Sequence, residues 1–316
     1  MMKPLPRYRK IGLLLRPSGP IPPIAQTIMA TFGQYEFSFL AKEKPRLKSL
    51  SKKFSLKFYG PERFYQINDA LITLGGDGTL LSAFRHCTLA RPIFSINLGQ
   101  LGFITQFSLE EAVDHLALAF AGKLSLTKVH HYQVEIKQKG KKIFQSSFVN
   151  DAVISHQDIS RMIPLDVFAE SCPRTSRSSR KTASAEHRHC KNELIYHLAG
   201  DGLIVSTALG STAYSLAAGG PILHPDVLAV LLTPICPHSM FTRPMAIGCQ
   251  QAIIIKIPSD QVPLSLTLDG QEVFSLAKGM EIKMKLSKQK AYSFWQNPQS
   301  SFYKTIKEKF LHCRKN

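Results

Sequence analysis

No run in this chain approaches the roughly 18 consecutive apolar residues of a membrane-spanning helix, which argues against such a span. The basic N-terminus, MMKPLPRYRKIGLLLRP, offers only IGLLL as an apolar segment. That is too short for a secretory signal and reads as a first strand. Cys87, Cys172, Cys190, Cys236, Cys249 and Cys313 are scattered without the spacing of a disulfide framework, so a reducing, cytoplasmic setting is expected. Acids are scarce: 22 Asp and Glu stand against 40 Lys and Arg, for a net charge of +18. Twelve of those charges come from 171–195 and 283–316. Such a balance favours anionic partners such as nucleotides or polyphosphate, with nucleic acid the less expected one. Neither Gly-Lys-Ser/Thr after a glycine loop nor GxGxxG occurs at the glycine-rich turns, so the two common phosphate-loop signatures do not apply.

What is present is organised around Ala70–Leu74 and the Gly75-Gly76-Asp77-Gly78-Thr79 that follows. ALITL is a short, partly β-branched apolar run, the pattern of a buried strand. From Thr79 onward Leu80, Leu81, Ala83 and Phe84 carry helical spacing. A strand ending in glycines and turning into a helix leaves N–H groups directed at open space, a common way to hold phosphate. Asp77 is the odd member, because a carboxylate there repels phosphate unless it serves chemistry or a metal. Taken alone, GGDG is equally an ordinary tight turn.

Elsewhere, Lys10–Arg16 and Pro92–Asn97 read as strands, and Ile24–Phe32 and Leu109–Ala121 as helices, with Glu110 and Glu111 in the first turn of the latter. Residues 41–57 are polar and read as a flexible loop over the site. This alternation implies a parallel α/β layer over 1–122. After that, period-two runs dominate: Tyr132–Lys137, a turn at Lys139-Gly140-Lys141, Ile143–Val149, and further strands to Leu286. Only Thr212–Ala218 and Val227–Leu232 look helical among them. The expectation is a β-rich domain over 123–289, with a tail helix at Ser301–His312 in a segment, 290–316, that returns to the first domain. Residues 171–193 are Ser- and Arg-rich and poor in apolar side chains, so they read as a basic surface insertion. His187, His189, Cys190 and Cys172 within it match no standard zinc spacing. His224 and His238, beside prolines, read as turn residues bonding local backbone.

The β-rich half holds a second dense glycine region, GDGLIVSTALGSTAYSLAAGGP over 200–221. It reads as a turn, a buried strand, and a Gly-Ser-Thr turn opening a helix that Ser211 or Thr212 could cap, giving a second anion site. Tyr214 offers a flat face for a base. Two such loops in one chain suggest a nucleotide held between two domains.

GGDGT, NLGQLGF, Asn150-Asp151, GDGLIVST, GSTAYSLAAGGP, PICPHSMFTRP and DGQ together resemble the bacterial NAD kinases, in the order of that family and over about residues 10–275. The resemblance implies an α/β domain of phosphofructokinase-like type followed by a β-rich NAD-binding domain. It also implies phosphoryl transfer from ATP, or polyphosphate, to the 2′-hydroxyl of NAD, with a divalent cation such as Mg²⁺ and a homodimer or homotetramer as the assembly. Asp77 corresponds to the carboxylate that takes the hydroxyl proton. Gly75, Gly76, Gly78 and Thr79 match the phosphate-side loop, and Phe103 an aromatic beside adenine. Asn150, Asp151 and Arg161 match dinucleotide contacts, and Asp201 an acid on the nicotinamide side. Thr212, Ala213, Tyr214, Ser215, Leu216 and Ala217 match the shared nucleotide segment, and Gln271 a late contact. Asp151 stands where the family usually has Glu. Because GGDGT also occurs in lipid and sugar kinases, such an enzyme and a non-catalytic nucleotide-binding protein are the competing readings.

Overall fold

The computed structural model describes residues 8–87, 91–99, 102–156, 162–171, 191–258, 263–287 and 292–311. In chain order the elements begin with β1 (Lys10–Leu15), α1 (Pro23–Thr31), β2 (Glu36–Leu40), β3 (Lys57–Tyr59), α2 (Pro61–Ile67), β4 (Ala70–Leu74), α3 (Asp77–His86), β5 (Pro92–Ile96), α4 (Ala112–Phe120) and β6 (Leu126–Val129). There follow β7 (Tyr132–Gln138), β8 (Lys141–Phe148), β9 (Asp151–His156), β10 (Ile163–Ser171), β11 (Lys191–Gly200), β12 (Gly202–Thr207) and the short α5 (Tyr214–Ala217). The remainder is β13 (Ala229–Ile235), β14 (Met245–Gly248), β15 (Ala252–Lys256), β16 (Leu264–Leu268), β17 (Glu272–Leu276), β18 (Met280–Leu286), β19 (Tyr292–Trp295) and α6 (Phe302–Leu311). The chain divides into two compact units, Met1–His130 with Gln289–Asn316, and His131–Lys288.

The first unit is built on a seven-stranded sheet of order β3-β2-β1-β4-β5-β19-β6, in which every pairing is parallel except β19 with β6. Every residue of β4 is buried, as a central parallel strand covered on both faces requires. Leu15 pairs with Leu74, and Leu74 with Ile96, so β1, β4 and β5 end level along one edge. From β1 the chain leaves toward β2 and β3, and from β4 it leaves the other way, toward β5. The sheet therefore has its topological switch point between β1 and β4.

The second unit packs two six-stranded antiparallel sheets, β11-β10-β15-β18-β7-β8 and β14-β13-β12-β9-β16-β17, around one core. Lys139 and Gly140 both adopt positive φ, 49° and 75°, in the two-residue turn joining β7 and β8. Asp269 and Gly270 repeat that geometry, at 50° and 64°, between β16 and β17.

Several expectations need correction. Val227–Leu232 is not a helix; Ala229–Ile235 is a strand paired with β12 and β14. A fully buried central strand shows no alternation, so its apolar run mimics a buried helix. Residues 41–57 are not a loose loop, since two 3₁₀ turns, Ala41–Glu43 and Leu50–Lys52, bury Glu43, Leu47 and Leu50 before β3. Glu110 and Glu111 precede α4; Glu111 stands at its N-cap and accepts a hydrogen bond from the Ser108 N–H at 3.0 Å. Leu126–Val129, past the change of character at residue 122, pairs with β19 in the first unit's sheet. Arg161 and residues 172–190, the body of the basic insertion, lie outside the described residues, while its end, from Lys191, is strand β11.

Candidate functional site

In the first unit the loop between β4 and α3 is tied to the sheet by the Gly75 N–H, which donates to the Ile96 carbonyl at 3.0 Å. Gly76 caps α3, and Asp77 is its first residue, a placement the helix dipole favours. A β-carbon at Gly76 or Gly78 would meet nothing within 4 Å, so the helix start faces open space. That is the room a phosphate group needs at the electropositive start of a helix.

The Asp77 carboxylate is not directed into that space unaided. Its Oδ2 accepts the Phe103 N–H at 2.8 Å. Its Oδ1 accepts the N–H groups of Ile104 and Thr105, at 3.3 and 2.9 Å, and the Thr105 hydroxyl at 2.8 Å. Thr105 Oγ1 in turn accepts from Asn97 Nδ2 at 3.0 Å, and both residues are buried. This resolves the oddity of an acid in a glycine cradle, because the turn at 102–105 supplies donors for the charge. A β-carbon on Gly102 would lie 2.0 Å from Asp77 Oδ1 and 2.2 Å from Thr105 Oγ1, so only glycine permits this approach. Oδ1 already has three donors, whereas Oδ2 has one and keeps a lone pair for another. Lys309 of α6 places its Nζ 4.3 Å from the Phe103 ring centroid, so one face of that aromatic carries a cation from the tail helix.

In the second unit Asn150 and Asp151 lie between two grips. Asp269 accepts the N–H groups of Val149, Asn150 and Asp151, with shortest distances of 3.0, 2.7 and 3.2 Å. From the other side Thr207 donates its hydroxyl to the Val149 carbonyl at 2.6 Å and its N–H to the Asn150 carbonyl at 2.9 Å. Gly210 packs so closely that a β-carbon would sit 2.2 Å from the Asn150 carbonyl oxygen. Asn150 Oδ1 is buried without a hydrogen-bond partner. Burial first, and the Asp269 charge second, push the Asp151 carboxyl up to about 7.

The segment after β12 differs from the sequence expectation. Ser211 Oγ donates to the Ala208 carbonyl at 2.6 Å and accepts the Leu223 N–H at 3.0 Å. Thr212 Oγ1 donates to the Leu209 carbonyl at 3.4 Å. Neither caps α5, which has only four residues, and the Ala213 N–H is spent on the Gly210 carbonyl at 2.9 Å. The side-chain cap that the sequence suggested is therefore not made, and both hydroxyls bond to carbonyls of the turn itself. Ser215 is fully buried, with its hydroxyl 2.8 Å from Thr233 Oγ1. Tyr214 is 48% exposed and presents its ring to solvent; Ala213 and Leu216 are half-buried and Ala217 is exposed.

Asp201 and Gln271 sit apart from this turn in different ways. Ser206 pairs with Asp151, so Asp201 stands five residues away at the far end of β12, roughly 17 Å along the strand. Gln271 follows the Asp269-Gly270 turn and donates its N–H to the Leu268 carbonyl at 2.9 Å. Sequence reasoning missed Asn97, Thr105, Thr207 and Asp269. Asn97 and Asp269 lay within the quoted motifs NLGQLGF and DGQ, and a polar residue inside a glycine-rich run is the signal that could have singled them out. His224 Nδ1, as expected of a turn histidine, accepts the Asp226 N–H at 3.3 Å.

Residues 25–124 match the ATP-NAD kinase N-terminal domain and 175–295 the ATP-NAD kinase C-terminal domain. The NAD kinase of Aquifex aeolicus is 33% identical over 263 residues, covering 83% of this chain and 86% of that protein. The NAD kinase of Campylobacter jejuni strain RM1221 is 32% identical over 307 residues, 96% of each. Among solved structures, yeast NADH kinase complexed with NADH superposes with a TM-score of 0.81 at 23% identity, covering 96% of this chain and 87% of that one. An NAD kinase from Archaeoglobus fulgidus in complex with ATP gives 0.67 at 20% identity, covering 95% and 98%. The chain belongs to the NAD kinase family.

Proposed function

We propose that this protein transfers the γ-phosphoryl group of ATP to the 2′-hydroxyl of the adenosine ribose of NAD, giving NADP and ADP. The observation that carries the assignment to a mechanism is the held carboxylate of Asp77 at the open start of α3. A ribose hydroxyl is a weak nucleophile, and a base within hydrogen-bond reach removes its proton as the new bond forms. Oδ2, with its spare lone pair, takes that proton. The 2′-oxygen then bonds to the γ-phosphorus, and the bond between phosphorus and the bridging oxygen breaks with its electrons leaving on ADP. Gly76 and Gly78 leave the phosphates room at the start of α3, while Gly75 and Thr79 shape the loop through their own N–H bonds to the Ile96 and Gly76 carbonyls.

Asn150 and Asp151 bind the dinucleotide, Asn150 through its unpaired buried Oδ1 and Asp151 toward ribose. Phe103 and Tyr214 offer ring faces for bases, Thr212, Ala213, Leu216 and Ala217 shape the surroundings, and Ser215 supports them from the core. Asp201, far along β12, serves the nicotinamide end, with Arg161 and Gln271 as further contacts. Among the described residues no group of three or more His, Cys, Asp or Glu side chains could hold a metal ion. The divalent cation that the family resemblance implies would arrive on the phosphates as MgATP, the usual habit of Mg²⁺.

A homodimer or homotetramer, supported by the exposure of Met240 and Phe241, is testable by light scattering. Among the described residues no helix is long and apolar enough to cross a membrane, and the scattered cysteines support a cytoplasmic enzyme. One activity matrix tests the function: ATP or polyphosphate as donor against NAD, NADH or diacylglycerol as acceptor. NADP formation is expected, and lipid phosphorylation without it would overturn the assignment.

A further inference from the structure

A cavity of about 360 Å³ opens on the first unit beside the glycine loop, lined by Arg16, Ile21, Ile24, Thr27, Leu98 and Leu109 among others. Its position follows from the topology. Arg16 leaves β1 and Leu98 lies just beyond β5, and these two strands flank β4, whose end carries Gly75. The Arg16 N–H donates to the Leu74 carbonyl at 2.9 Å, which places this wall one residue from the glycine loop. The cavity thus stands on the edge where the strands end, at the switch point between β1 and β4, where open α/β sheets bind their ligands.

The wall is fixed in advance. Arg46, from the segment between β2 and β3, donates to the carbonyls of Arg16 and Gly19 at 3.2 and 2.8 Å. It is itself held by the buried Glu43 at 2.5 Å. Most of the lining is apolar, from prolines, isoleucines and leucines, and among the described residues no acid lines it. Arg16, the one charged residue among the described lining, has a buried Nε without a hydrogen-bond partner. A volume of this size falls in the range of small-molecule sites, and an apolar slot with one guanidinium suits a flat base attached to an anionic chain.

We propose that this cavity receives the base and ribose of the nucleoside triphosphate donor, with Arg16 facing its phosphates. The proposal rests on the kinase reading above, and its test separates the two. Thr27 is exposed on α1 at the cavity lining, so Thr27→Trp fills the space without entering the core. The variant should raise KM for ATP at least about tenfold and leave KM for NAD within about twofold. An unchanged KM for ATP would overturn the proposal. Photolabelling of the wild-type protein with 8-azido-ATP, with ATP as competitor, gives a readout that does not need turnover. Competed label on the peptides carrying residues 16–27 or 98–109 supports the site, and competed label confined to other peptides overturns it. A protein that makes no NADP yet labels at these peptides refutes the kinase reading while keeping the cavity's role.

Discussion

Replacing Asp151 by asparagine tests the acid pair of the second unit through the pH dependence of stability. Burial and the neighbouring Asp269 charge raise the Asp151 carboxyl from 3.8 to about 7 in the folded protein. The folded form therefore keeps a proton that the unfolded chain has lost across that window. Stability from this group is full below pH 4, falls as pH rises toward 7, and is flat above. The whole displacement corresponds to about 4 kcal/mol, of which about 2.5 kcal/mol separates pH 5 from pH 8. Asparagine keeps the shape of the neutral carboxyl and removes the ionisation. In urea denaturation followed by circular dichroism, the variant should gain on the wild type by about 2–3 kcal/mol as pH goes from 5 to 8. Two curves that stay parallel over that interval would refute the argument.

Thr105→Val removes the hydroxyl that donates to Asp77 and accepts from Asn97 Nδ2, while the three N–H donors remain. A charge-assisted bond is worth about 1.5–3 kcal/mol, so kcat should fall about tenfold or more with KM for NAD little changed. Thr105→Ser should restore most of the loss in steady-state assays. Asp269→Ala leaves the buried N–H groups of Val149, Asn150 and Asp151 without their acceptor. At about 1–3 kcal/mol for each unpaired group, the midpoint of thermal unfolding should drop sharply, and a drop of less than about 2 °C would contradict the assigned grip.

How much of this was legible in the sequence depends on how local the cause was. The passage from β4 to α3 could be read because ALITL, the glycines and the apolar spacing after Thr79 are contiguous, and the turn at Lys139-Gly140 because its signal sits in two residues. Strands β6 and β19 were not seen, since each has only four residues and becomes a strand by pairing with the other across most of the chain. The strand at Ala229–Ile235 was misread because complete burial erases the alternation that marks a half-exposed strand. In the site, resemblance pointed to Asp77, Asn150 and Asp151, but the groups that hold them lie far away in sequence. Thr105 reaches Asp77 across 28 residues and Asp269 reaches Asn150 across 119. Such pairs have no periodic signature. The four-residue length of α5 was equally hidden, because GSTAYS carries helix-opening residue types that the fold uses for a turn closed by its own carbonyls.

The most direct measurement is turnover of Asp77→Asn with ATP, Mg²⁺ and NAD, alongside calorimetric titration of NAD. The amide keeps the size of the side chain and loses its basicity. The expected result is a fall in kcat of at least about a hundredfold, the scale of a lost general base, with NAD affinity within a few-fold of the unaltered protein. A variant that makes NADP at a comparable rate would contradict the claim that this carboxylate takes the ribose proton.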